Sequence, residues 1–214
     1  MIRILNLYSG LGGNRKLWKD CEVTSVEFNP EIAQVYRDRY PQDTLIVGDA
    51  HAYLLEHFKE FDFIWASPPC QTHSSFRQNV CVRFRDTPAV YPDMKLYQEI
   101  IFLRSNCNEE QRWVVENVNP YYEPLIPPDA RLGRHLFWCN FTIGRFEFKH
   151  DEIIRTAQIP QLQKYHGIDL SPYKFPNKRQ LLRNCVDSDL GKHVFDCAYF
   201  EFTEYEQLPL FEHA

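Results

Sequence analysis

Several signatures are missing from this sequence, and each absence removes a class of function. There is no apolar run of membrane-spanning length, no internal repeat and no low-complexity stretch. No Cys-x-x-Cys or His-x-x-x-His pair supports a zinc site; His193 and Cys197 stand four apart with nothing to complete them, so no metal is expected. The Gly-Lys-Ser/Thr of a phosphate-binding loop is also absent, which argues against ATP or GTP hydrolysis. Positive charge is in deficit, 24 Lys and Arg against 29 Asp and Glu, so the net charge is −5. That balance disfavours a protein that coats nucleic acid without selectivity, while leaving room for a local basic groove. Seven cysteines, an odd number without regular spacing, fit reduced thiols better than a disulfide framework. The chain runs from Met1 directly into apolar residues without a signal peptide, so a cytoplasmic location is expected.

The 214 residues, 44% of them apolar, suffice for one domain with a small insertion. Through residue 120 strand and helix patterns alternate, which predicts an α/β fold with a parallel sheet. Strands are expected at 2–8, 23–27, 44–47, 62–66 and 113–115. Helices are expected at 15–19, 30–40, 53–58 and 95–105, with residues 72–92 as a long loop. Beyond Pro120 the alternation fails: 136–140 and 142–148 read as a β pair, 149–176 as irregular, and 187–199 as a closing helix. This divides the chain into a core at 1–140, a short segment at 141–176, a return to the core at 177–200 and an acidic tail at 201–214.

Eight glycines are few, and three of them crowd into Gly10-Leu11-Gly12-Gly13 directly after a strand. Such a turn lets backbone approach a ligand closely. Glu27 ends the next strand, where a carboxylate can accept both hydroxyls of a ribose. Asp49 follows the third strand and could accept an adenine amino group. Together they predict an adenosine-type site. Ser67-Pro68-Pro69-Cys70-Gln71 then sets a thiol at the carboxyl end of a buried strand, where open α/β sheets bind ligands. Its alternatives are a nucleophile and a small buried hydrophobe. Glu116-Asn117 ends the strand expected beside it, so a protonated Glu116 could donate to a substrate ring nitrogen. Two basic runs, Arg77, Arg83 and Arg85, then Lys174, Lys178, Arg179 and Arg183, suit a phosphate backbone.

In order along the chain, these motifs resemble the C5-cytosine methyltransferase family. Tyr8-Ser9-Gly10-Leu11-Gly12-Gly13 is similar to its cofactor loop, Glu27-Phe28-Asn29 to its ribose-binding acid, and Gly48-Asp49 (with Ala50 following) to its adenine contact. Pro68-Pro69-Cys70-Gln71, with Ser74 trailing, resembles the nucleophile motif. Glu116-Asn117-Val118 resembles the Glu-Asn-Val motif, and Arg183-Asn184-Cys185-Val186 resembles the Gly-Asn-Ala-Val element that returns to the cofactor pocket. The resemblance implies a Rossmann-like, doubly wound sheet of the S-adenosylmethionine-dependent methyltransferase type. It implies S-adenosylmethionine held by Tyr8, Ser9, Gly10, Gly12, Gly13, Glu27, Phe28, Asp49, Ala50, Pro68, Asn184 and Val186. Catalysis would fall to Cys70 as a thiolate adding to cytosine C6, to Glu116 at N3, and to Arg134. A flipped base would be met by Gln71, Ser74, Arg77, Arg83, Arg85, Lys174, Lys178 and Arg179.

The sequence departs from the family at three places. Asn6 stands for an aspartate before the cofactor loop, and Arg183 for a glycine. The Arg-x-Arg element is broken: Arg131-Leu132-Gly133-Arg134-His135 puts Gly133 and His135 at its arginine positions, or Arg134 at one of them after a shift of one. The target-recognition region, 141–176, is much reduced, which implies a short or relaxed target in DNA. RNA (tRNA) is the alternative substrate, and a nucleic-acid-binding subunit without activity, or a partner protein supplying specificity, are further readings.

Overall fold

The computed structural model describes residues 1–85, 87–148 and 156–199. Seven strands form one sheet: β1 (Ile2–Leu7), β2 (Cys21–Glu27), β3 (Thr44–Val47), β4 (Phe63–Ala66), β5 (Arg112–Val118), β6 (Ala130–Leu132) and β7 (His135–Cys139). Their order is β3-β2-β1-β4-β5-β7-β6, the first five parallel and β7 antiparallel to both β5 and β6. The helices are α1 (Pro30–Arg39), α2 (Ala50–His57), α3 (Lys95–Asn106), α4 (Ile159–His166), α5 (Lys178–Asn184) and α6 (Ser188–Tyr199). This is a Rossmann-like α/β architecture. Strand order reverses between β1 and β4, so the loops leaving their carboxyl ends diverge and open a crevice.

The strands are apolar nearly throughout because both faces are covered. Leu5, Leu7, Ile64, Val115 and Trp138 pack on α2 and α3 through Leu54, Ile100 and Leu103. Ile4, Phe63, Trp65, Val114 and Phe137 face the other way, onto Leu190, Val194 and Phe195 of α6. The 3-10 turn Asn14–Leu17 is pinned beneath α6, where a Cβ on Gly191 would lie 2.5 Å from the Asn14 Cα. This close docking explains why the helix expected at 15–19 is a single turn.

A buried polar chain anchors the glycine turn. Asn14 donates to Asn6 at 2.8 Å, and Asn6 approaches Ser25 at 3.5 Å. Ser25 donates to Tyr36, which donates to Asp43 at 2.8 Å. Asp43 receives both Nε and Nη2 of Arg15 at 2.8 and 2.9 Å, with the two side chains only 7% and 2% exposed.

Three expectations are corrected. Residues 72–92 are not all loop: the carbonyl of Cys70 accepts from the amides of His73 and Ser74, winding begins there, and Arg77–Val82 is a π-helical turn. The prolines that suggested a loop come only later, at 88 and 92. The strand at 135–139 pairs with β6 and β5, not with 142–148, which forms no strand. A two-residue turn at Gly133 (φ 56°) and Arg134 closes that β6–β7 hairpin, and Phe148 packs on Gly133. Finally, 149–176 is not uniformly irregular, since it contains α4, opened by Pro160 and a capping box from Gln158 and Gln161. The expected tail at 201–214 lies outside the described residues. No helix among the described residues is long and apolar enough to cross a membrane.

Removing Arg15 strands a buried carboxylate. Arg15→Ala is expected to lower the free energy of unfolding by about 3–5 kcal/mol, measured by urea denaturation. A loss below about 1 kcal/mol, typical of an exposed pair, would contradict the anchoring role.

Candidate active site

A cleft of about 490 Å³ opens at the reversal point. It is lined by Tyr8, Ser9, Gly10 and Gly13 from the turn after β1, Glu27 and Phe28 after β2, and Asp49 and Ala50 after β3. Pro68, Cys70 and Gln71 follow β4, Glu116 lies near the end of β5 before Asn117 and Val118, Arg134 tips the hairpin, Asn184 ends α5 and Val186 follows it. The glycine turn, the acids at the strand ends, the Pro-Pro-Cys segment and the returning segment, separate in the sequence, thus share one cleft.

Gly12 is not among the residues lining the cleft; a Cβ there would meet the rings of Tyr40 and Tyr36 at 2.5 and 2.8 Å, so its lack of a side chain serves the seating of α1. Gly13 has a similar constraint toward the returning segment, since its Cβ would lie 2.1 Å from the Val186 carbonyl oxygen. Of the expected nucleic-acid residues, Gln71 lines the cleft, while Ser74, Arg77, Arg83, Arg85, Lys174, Lys178 and Arg179 lie outside it. Ser74 bridges to Pro120, and Arg77 donates to the Pro88 carbonyl at 2.8 Å. Arg83, Arg85 and Lys174 are exposed.

At the β1–β2 end, Glu27 accepts from the amides of Gly10 (3.0 Å) and Asn29 (2.9 Å). Burial raises its pKa against those backbone donors, which leaves a desolvated carboxylate with lone pairs to spare. The buried Ser9 hydroxyl beside it has no partner. Asp49 caps α2 by accepting from His51 (2.8 Å) and pairs with Lys95 at 3.3 Å. Tyr8 holds a left-handed backbone (φ 56°) that a tyrosine seldom adopts, and its hydroxyl donates to the fully buried Glu99, which also binds His51 at 3.0 Å. An orphaned hydroxyl, a ribose-sized carboxylate and an open glycine turn fit a nucleoside-bearing cofactor.

The β4–β5 end carries the thiol. Asn117 donates to the Pro68 carbonyl at 2.9 Å and so fixes the Pro-Pro segment against β5. Register pairs Ala66 with Val115, which sets Glu116 beside the start of the Cys70 loop. His135 lies opposite Val118, two residues along the same face from Glu116, and its Nδ1 reaches Glu116 Oε1 at 2.6 Å. His135 Nε2 accepts from Arg134 Nε at 3.3 Å, which makes Nδ1 the protonated nitrogen that donates to the carboxylate. Burial opposes charge on Glu116, but His135, Ser67 and Arg134 outweigh it and hold its pKa below the usual range. That direction favours the carboxylate of Glu116 over its protonated form. Burial first, then the charge of Glu116, push Cys70 up to about 11, with Arg134 opposing, which favours the thiol before substrate arrives.

Sequence reasoning missed His135 as a partner of Glu116. The signal was Leu132-Gly133-Arg134-His135, a glycine turn between apolar runs that reads as a tight hairpin. Lys95 and Glu99 were missed as well, one helical turn apart on α3. Among the described residues no cluster could hold a metal ion, and His193 spends its Nε2 on the Gly144 carbonyl at 3.0 Å.

The sheet order and the cleft define a Rossmann-like α/β protein with a ligand-sized cleft where the strand order reverses. Residues 2–91 match the model of the C-5 cytosine-specific DNA methylases. A curated relative is the tRNA (cytosine(38)-C(5))-methyltransferase of Spodoptera frugiperda, 33% identical over 76 residues, which are 32% of this chain and 23% of that protein. The chain thus spans under a quarter of that relative's length. Solved structures with similarity include a DNMT2 mutant of the same organism (25% identity, 55% of this chain, 36% of that one, TM-score 0.39). Another is a methyltransferase of Entamoeba histolytica (10% identity, 93% of this chain, 98% of that one, TM-score 0.49).

Because Glu116 raises the Cys70 pKa, neutralising it should lower that pKa. Iodoacetamide labelling of Cys70, followed by peptide mass spectrometry, should quicken tenfold per pH unit through the range below pH 10. It should also run faster in Glu116→Gln than in the native protein at any fixed pH there. Equal rates in the two proteins would refute the coupling.

Proposed function

We propose that this protein transfers a methyl group from S-adenosylmethionine to C5 of cytosine in DNA, through a covalent bond between Cys70 and C6 of a flipped base. The observation that carries the reading is the placement of Cys70 and Glu116 on the same cleft as Glu27 and the glycine turn.

Glu27 and Ser9 would bind the ribose, with Phe28, Asp49 and Ala50 around the adenine and Asn184 and Val186 closing the near side. Bound there, the cofactor supplies the electrophilic methyl carbon that C5 takes. The Cys70 thiol loses its proton as sulfur bonds to C6. Glu116, the carboxylate whose charge Cys70 feels, takes that proton and delivers it to N3 as electron density from the C5–C6 double bond moves into the ring. The carboxylate also accepts from the cytosine amino group, which selects cytosine over uracil by its donor. Loss of the C5 proton to a water molecule returns the electrons to the C5–C6 bond and breaks the sulfur–carbon bond, and the proton on N3 goes back through Glu116 to the departing Cys70 sulfur. Arg134 stabilises the charge that builds during addition, and 141–176, containing α4, is read as the recognition segment. The second reading, tRNA as substrate, is favoured by the insect relative, which is named for a tRNA cytosine.

Methylation of mixed-sequence DNA and of tRNA with labelled cofactor, followed by bisulfite sequencing, tests this reading. Cys70→Ala is expected to abolish transfer, a loss of at least about 10³-fold, while retaining S-adenosylhomocysteine binding. Transfer by that variant would end the thiol mechanism. No 5-methylcytosine in either polymer with the native protein would end the functional reading.

A further inference from the structure

Arg183 stands in the last turn of α5 and lines the cleft together with Cys70, Glu116 and Arg134. Its guanidinium carbon sits 5.8 Å from the centroid of the Phe76 ring, on the segment that follows the nucleophile. Phe76 is 51% exposed, so it serves as a platform at the rim and not as core. The Arg183 Nε is buried without an acceptor. Arg134 donates to the Arg183 carbonyl at 2.8 Å, and Arg179 donates to the Ala157 carbonyl at 3.1 Å. These partners are neutral, and no carboxylate forms an ion pair with any of the three arginines among the described residues. Arg183 therefore feels two further cations, Arg179 and Arg134, while Glu116, on the same cleft as Arg183, already has its Oε1 occupied by His135.

Such a cluster is unfavourable without a ligand. Burial, then Arg179, then Arg134 lower the pKa of Arg183, the mark of a guanidinium short of negative charge. A planar guanidinium stacked on an aromatic ring keeps its edge free for two parallel hydrogen bonds, the pattern that suits the paired oxygens of a phosphate. We propose that Arg183, seated on Phe76 and flanked by Arg134 and Arg179, is a phosphodiester-binding site that grips the nucleic-acid backbone next to the cytosine presented to Cys70. The site rests on the functional reading above for its polymer, and it gives Arg183 a task that a glycine at that position could not perform.

Binding of fluorescein-labelled duplex DNA and of a labelled RNA stem-loop, followed by anisotropy from 50 to 200 mM salt, tests the site and separates the two sources of phosphodiester. Arg183→Gln is expected to weaken binding about tenfold and to reduce the slope of log K against log salt by ~0.9 for the duplex or ~0.7 for single-stranded RNA. Retained S-adenosylhomocysteine binding checks the fold. Phe76→Ala, at an exposed position, is expected to weaken binding several-fold with little change in slope. Native affinity and slope in Arg183→Gln would overturn the site and leave the functional reading standing. Methyl transfer absent from a native protein whose binding still responds to Arg183→Gln would do the reverse. A native protein that binds neither polymer would overturn both.

Discussion

The reversal of strand order between β1 and β4 is the constraint on which the rest of the cleft depends. Because the crossover connections leave in opposite directions there, the glycine turn and the Ser67-Pro68-Pro69-Cys70 segment face each other across a gap that no side chain of the sheet fills. Each rim is then fixed by a buried polar contact. On one side the chain from Asn14 through Asn6, Ser25, Tyr36 and Asp43 to Arg15 holds the turn down. On the other, Asn117 clamps Pro68 across neighbouring strands. Both rims are thus held by buried polar contacts within the protein itself, which serves the positioning of reacting atoms.

Glu116 shows how the local environment sets the chemistry. A carboxyl group this deeply buried would ordinarily keep its proton. The β6–β7 hairpin prevents that by swinging His135 onto the diagonal position beside it, with Arg134 behind. The directions of the two shifts favour a proton on Cys70 over one on Glu116. Under the proposed chemistry, addition of sulfur and protonation of the base ring would be linked through this one carboxylate.

Much of this was legible in the chain. Alternating apolar runs and turn residues located β1 to β5, and residues at strand ends pointed to one edge, because parallel sheets put ligand sites there. What the sequence concealed were contacts made by distant segments. Gly12 looked like a ligand-facing residue but yields space to Tyr36 and Tyr40 of the following helix, which no local pattern reports. The pairing of residues 135–139 depended on whether Gly133 or the Cys139–Asn140 region makes the turn, and short apolar runs do not decide that. His135 appeared only as a gap in an expected arginine pair. The π-helical turn at Arg77–Val82 was hidden by prolines that in fact follow it. Protonation states were beyond reach because they follow from burial and from partners brought in by the fold.

The central claim is that Cys70 bonds to a cytosine held in this cleft, and a substrate that halts after that step tests it most directly. An oligonucleotide carrying 5-fluorocytosine cannot lose its C5 substituent as a proton, so the sulfur–carbon bond persists once C5 has been methylated. With S-adenosylmethionine present, mass spectrometry of the digested protein should find the nucleotide on the peptide containing Cys70 and on no other cysteine. An unmodified Cys70, or an adduct on another of the seven cysteines, would contradict the account.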